Sequence, residues 1–100
     1  MTTVTFFKRK DGLITGFQAE GHAGWADYGQ DIVCAAVSIL GCTCVNALES
    51  VCGIIPLVTE NEDGAPAFQL PELNPEENAK AQILMGALKQ GLSDLADAYP

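Results

Sequence analysis

The chain holds one histidine, His22, and twelve residues later a cysteine, Cys34, at the head of an apolar stretch. They stand near the two ends of Gly21-His22-Ala23-Gly24-Trp25-Ala26-Asp27-Tyr28-Gly29-Gln30-Asp31-Ile32-Val33-Cys34-Ala35-Ala36-Val37-Ser38. A thiol attacks only as thiolate, and a neighbouring imidazole can take its proton. Asp31 has the side chain of a good helix N-cap. With a helix starting there, Cys34 falls in the first turn. The dipole and the free N–H groups of that turn favour a negative sulfur and could hold an oxyanion during acyl transfer. His22 lies on a loop that must return to the helix start. It can therefore reach Cys34, accept its proton and later give one to a leaving amine. Asp31 has two competing jobs. As a cap it would spend its carboxylate on backbone N–H groups; as the third member of a catalytic group it would orient His22. Asp27 could do the second job instead, and the residues alone leave both open.

The elements that must position this pair follow from patterning. Residues 2–10 are β-branched and aromatic and read as a strand. Asp11-Gly12 is a turn signal, and residues 13–20 read as a second strand antiparallel to the first. Gly21 to Gln30 reads as a flexible loop, in which Gly21, Gly24 and Gly29 lower the cost of moving. Trp25 and Tyr28 could cover the core edge or line a substrate groove. Residues 32–52 contain a single charge, Glu49. A helix apolar nearly all round is buried on most sides, so this one is expected at the centre of the fold. Gly53 stops it. Residues 54–59 and 65–70 read as strands around a turn at Asn61-Glu62-Asp63-Gly64. Asn74 then caps a second helix with Pro75 at its first position and Glu76 and Glu77 at its positive end. Ile83, Leu84, Ala87, Leu88, Leu92 and Leu95 make its apolar stripe. The order is ββαββα. It predicts an α+β fold in which an antiparallel sheet packs against two helices, one of them a buried central helix.

Composition bounds the partners. One hundred residues make a single domain, 1–100. The net charge of −8 argues against direct nucleic-acid binding and suits a basic partner. Lys8, Arg9 and Lys10, three of the five basic residues, fall at the first hairpin and read as a solvated turn. No apolar run is read as reaching the roughly 20 residues of a membrane span. The N-terminus lacks the basic-then-apolar order of a secretory signal, and a cytoplasmic location is expected.

Cys34, Cys42, Cys44 and Cys52 all fall in the first helix. At about 100° per residue, Cys42 and Cys44 point about 160° apart, and Cys34 and Cys52 stand about 27 Å apart along the axis. No metal-binding tetrahedron follows and C-x-x-C is absent, so neither metal nor cofactor is expected. A disulfide framework fails for the same reason. Cys42, Cys44 and Cys52 read as small core or half-buried residues.

Gly21-His22-Ala23-Gly24, Tyr28-Gly29 and the run Asp31-Ile32-Val33-Cys34-Ala35-Ala36-Val37-Ser38 resemble the signature of the ribosomal-processing cysteine protease family, Prp. The resemblance extends through length, element order and the apolar central helix. It implies a cysteine endopeptidase that removes the N-terminal extension of the large-subunit ribosomal protein L-twenty-seven, cutting after a hydrophobic stretch that ends in paired aromatics. It implies Cys34 as nucleophile and His22 as general base, with Asp31 and Ser38 as supporting residues near the site. It also implies a homodimer, and a loop at Gly21 to Gln30 that rearranges on substrate. Family members continue past the second helix into a last short strand, which would lie beyond Tyr99-Pro100. An acidic surface would complement a basic ribosomal protein precursor. Trp25, Tyr28 or Phe17 would meet the substrate's aromatics.

A non-catalytic acidic binding module acting in ribosome assembly would keep the fold without needing His22 or Cys34. A thiol redox or metal protein would use both differently. Turnover by a Cys34→Ala chain separates the first from a protease, and metal content the second.

Overall fold

The computed structural model describes residues 3–20, 28–60 and 66–99; of residues 28–31, 60 and 66 it describes the backbone. Two strands open it, β1 (Thr3–Lys8) and β2 (Ile14–Glu20). Between them the Asp11-Gly12 turn forms as its residues dictate. Gly12 takes φ +90°, and its N–H donates to the Arg9 carbonyl at 3.0 Å. The Asp11 carboxylate accepts from the Leu13 N–H at 3.1 Å and from the Arg9 guanidinium at 2.8 Å. Helix α1 (Tyr28–Cys52), β3 (Leu57–Glu60), β4 (Pro66–Gln69) and α2 (Pro75–Ala98) follow. The expected ββαββα order and α+β class are what the chain adopts.

The four strands form one antiparallel sheet in the order β1-β2-β4-β3. β2 is central and the most buried. Its Phe17 pairs in register with Phe6 of β1 and Phe68 of β4. Both ring pairs have centroids 5.6 Å apart in tilted arrangements, which favour aromatic attraction. Gly16 suits a close approach of β2 to β4: a Cβ there would stand 3.1 Å from the Phe68 carbonyl oxygen, so a neighbour would have to shift by a few tenths of an ångström.

The α2 start is the one its residues spell out. The Asn74 side chain accepts from the Glu77 N–H at 2.8 Å, the Glu77 carboxylate accepts from the Asn74 N–H at 3.1 Å, and Pro75 leads the helix. One turn further, the Gln82 amide accepts from the Ile14 N–H at 2.9 Å and donates to the Ile14 carbonyl at 2.8 Å. It thus ties the helix to the first residue of β2. Nothing in the sequence pattern pointed to this clamp. At the other helix, Gly53 takes φ +69° and ends α1, its N–H bonded to the Glu49 carbonyl.

Three expectations for α1 need correction. The helix starts at Tyr28, not at Asp31, so Gly29, read as part of the flexible loop, is helical. An acidic side chain favours the positive end of a helix from the cap and from the first turn alike, so Asp31 fits both starts. The helix is also not buried on most sides. Val37, Gly41, Cys44 and Leu48 face the core, but Ile39 and Val51 are 65% and 75% exposed. One layer of helices lies on the sheet, so each helix keeps an outer face whatever its composition. The expectation that no segment is long and apolar enough to cross a membrane also fails. Ile32–Cys52 is 21 residues long and passes by length and composition alone. Here that helix is docked through its inner face on the same core as Phe17, Phe68 and Met85.

Candidate active site

Cys34 is the seventh residue of α1, half-buried and outside any disulfide. Six residues of helix place it about 9 Å along the axis from the first residue. This changes the chemistry expected of the helix end. The N–H groups that a helix leaves unpaired belong to its first turn, and the dipole's influence falls off over the same length. Cys34 stands in the second turn, beyond the residues whose N–H groups the helix leaves unpaired. The helix instead supplies rigidity, holding the thiol on a packed element with Val33 and Val37 anchored in the core on the adjoining face.

Ser38 lies one helical turn beyond Cys34 and is exposed. Side chains four residues apart on a helix have Cβ atoms about 5–6 Å from each other, so these two share one side of α1. Asp31, three residues before Cys34, is on the same helix, as is Tyr28. His22, Trp25, Gly21, Gly24 and Asp27 lie outside the described residues. Phe17, expected to meet substrate, is instead 1% exposed between Phe6 and Phe68. Its strand position turns it into the core, so it serves the sheet.

The remaining cysteines separate by environment. Cys44 is buried and packs its sulfur 3.9 Å from that of Met85 and from the Leu84 carbonyl oxygen. Burial pushes its thiol up from an ordinary 9.0 to about 11, with a smaller contribution from nearby Cys52. Cys52 is half-buried, as expected. Cys42 is exposed, contrary to its reading as a core or half-buried residue, because it lies on the outer face of α1 with Ile39.

The whole chain, residues 1–100, matches the sequence profile of cysteine protease Prp. A ribosomal processing cysteine protease Prp from Bacillus subtilis (strain 168) is 37% identical over 101 residues, spanning 99% of this chain and 90% of that protein. Two crystal structures of the ribosomal processing protease Prp from S. aureus share the fold. The complex with a substrate peptide superposes with a TM-score of 0.84 at 25% identity, covering 99% of this chain and 92% of that one. The complex with a covalently linked product peptide gives 0.80 at 27% identity over the same shares of the two chains. With a profile matched from end to end, a shared fold and a cysteine carried on the central helix, the chain belongs to the cysteine protease Prp family.

Proposed function

We propose that this protein removes an N-terminal extension from the precursor of ribosomal protein L-twenty-seven, with Cys34 as nucleophile and His22 as its base. The reading is carried by the family match along all 100 residues, with Cys34 in the sequence run that bears the family signature. In the reaction, His22 takes the Cys34 proton and the sulfur attacks the scissile carbonyl. The tetrahedral intermediate collapses to a thioester as the imidazolium protonates the departing amine. Water, deprotonated by His22, then cleaves the thioester and returns the thiol. Asp31 or Asp27 orients the imidazole, and Ser38 supports the site from the next turn of α1. Gly21 and Gly24 give the His22 loop freedom to close, and Trp25 and Tyr28 contact the substrate.

The chain's charge of −8 supports a basic precursor as partner. The expected partnership excludes direct nucleic-acid contact, and the expected setting is a cytoplasmic homodimer. The test is mass spectrometry of a basic peptide whose N-terminal extension ends in paired aromatics. A single cut after the aromatics, absent with Cys34→Ala, is the expected result. Two folded proteins that bind the peptide and leave it whole would overturn the reading. Cleavage should also slow as salt screens the attraction between acidic enzyme and basic substrate; a rate independent of salt would remove the electrostatic part.

A further inference from the structure

The sheet has two outer strands, and they are finished differently. β1 ends in the exposed Lys8 and shifts register between Phe7 and Lys8. Charge and an irregular register are devices that keep a free strand edge from pairing with other chains. β3 pairs with β4 in unbroken register and reaches no charge before its last residue, Glu60. Val58 pairs with Phe68 and Leu57 with Gln69, so the two side chains stand on opposite faces of the sheet. Val58 is 56% exposed and Leu57 60%, although Phe68 beside Val58 is buried. The helices thus cover β4 and stop short of β3. Val51 and Ile55, just before the strand, are exposed as well. Of the eight large apolar residues exposed among the described residues, four therefore fall between Val51 and Val58. Single exposed apolar residues are ordinary, but a concentration of them beside an open edge marks an interaction surface.

We infer that the β3 edge is a docking site for an extended basic segment of the precursor, which adds to the sheet as a further strand. The inference rests on the proteolytic reading and gives it a second substrate contact, away from Cys34. Alternate residues of an edge strand turn N–H and C=O groups outward, and another strand is the partner that pairs them. That partner would also cover Leu57 on one face and Val58 on the other. Charge selects a basic one. Glu49 and Glu60 are the charged residues that bound this stretch, and the sequence holds no Lys or Arg from residue 11 to residue 79. The sheet fixes the distance from the nucleophile. Val33 and Val37, on either side of Cys34 in α1, line a cavity of about 230 Å³ together with Val4 of β1. β3 lies three strand spacings, about 14 Å, from β1. At about 3.3 Å per residue, the docked segment is at least about four residues from the bond cut.

The test compares two substrates of the whole chain. One is the full-length precursor of ribosomal protein L-twenty-seven. The other is a peptide reaching three residues, about 10 Å, to either side of the cut, too short to extend from Cys34 to β3. Val58→Lys puts a charge on the free edge at an exposed position, where it opposes a basic strand. It should lower kcat/KM for the precursor about tenfold or more, as loss of a well-buried interface residue does, and leave the peptide within about twofold. Should Val58→Lys not fold, Leu57→Thr keeps a strand-forming residue and should move the precursor in the same direction by less. Unchanged cleavage of the precursor by a folded variant, or equal losses on both substrates, overturns the docking site. So does a fall in sedimentation mass from parent to variant, which would assign the edge to a second copy of the chain. If the parent cuts neither substrate, the proteolytic reading fails and binding still decides the edge. Labelled precursor is then titrated by fluorescence polarisation against Cys34→Ala with and without Val58→Lys: about tenfold weaker binding keeps the site, and equal binding removes it.

Discussion

Cys34 and Cys44 stand on the same helix, ten residues and about 15 Å apart along its axis, in opposite surroundings. Cys34 is half-buried near the N-terminal end of α1, beside a cavity and on the side that carries Ser38. Cys44 is sealed against Met85 and Leu84, and burial raises its pKa to about 11. A thiol's chemistry is decided by access and by the stability of its thiolate. One helix therefore carries a half-buried thiol beside a cavity and a thiol used as packing. The sharpest break of this comparison is Cys34→Ala. Turnover should fall roughly a million-fold, by analogy with the loss of other covalent nucleophiles, with little change in thermal stability. Residual cleavage within a hundred-fold of the parent would move the nucleophile elsewhere.

Alkaline titration sharpens the other side. In the unfolded chain Cys44 loses its proton near its ordinary 9.0, and in the folded protein near 11. Between those values the folded state holds more protons, so stability falls as pH rises. The contribution is fully present below pH 9 and is lost progressively up to about pH 11. Two pKa units correspond to about 3 kcal/mol. Urea unfolding between pH 8 and 11 should show this extra fall in the parent and not in Cys44→Ala. Parallel curves would mean that Cys44 is more hydrated than its packing implies.

At neutral pH the same substitution measures packing alone. Cys44→Ala removes a buried sulfur and leaves a small cavity against Met85 and Leu84, which should cost about 1–2 kcal/mol in a urea melt. Its kcat/KM should stay within a factor of two of the parent. A large activity loss would show that the core around Met85 positions the end of α1 that carries Cys34, and the two thiols would then be coupled.

These differences were only partly legible in the sequence. Asn74, Pro75 and Glu77 name both the start of α2 and its capping, because local hydrogen bonds decide them. The Asp11-Gly12 turn is readable for the same reason. The start of α1 was not, since Gly29 reads as loop and Asp31 suits a cap as well as a first turn. The covered faces of α1 were hidden as well. A helix with two charges in 25 residues has no polar stripe to announce which side meets the sheet. Hence Cys42 reads as a core or half-buried residue and stands outward, while Phe17 reads as a substrate contact and lies in the core. At the site, residue type and spacing singled out His22 and Cys34. The cavity lined by Val4, Val33, Val37, Leu92 and Leu95 had no such signal. Those valines and leucines are ordinary core residues until three separate elements bring them together.

Cys42 completes the series at its weakest end. It lies on the same helix, two residues before Cys44, and is exposed on the outer face with Ile39 as an apolar neighbour. With neither a packed environment nor a place beside the cavity, it should have neither role. Cys42→Ser should change stability by no more than about 0.5 kcal/mol, as exposed substitutions do. Activity should be unaltered. In the native protein a small alkylating agent should label Cys42 while sparing Cys44, since Cys42 is accessible and burial both shields the Cys44 thiol and raises its pKa. A Cys42→Ser protein that loses stability with dilution would point to burial of this outer face against a second copy. The contrast on α1 would then be between three environments: one thiol beside a cavity, one in the core and one in an interface.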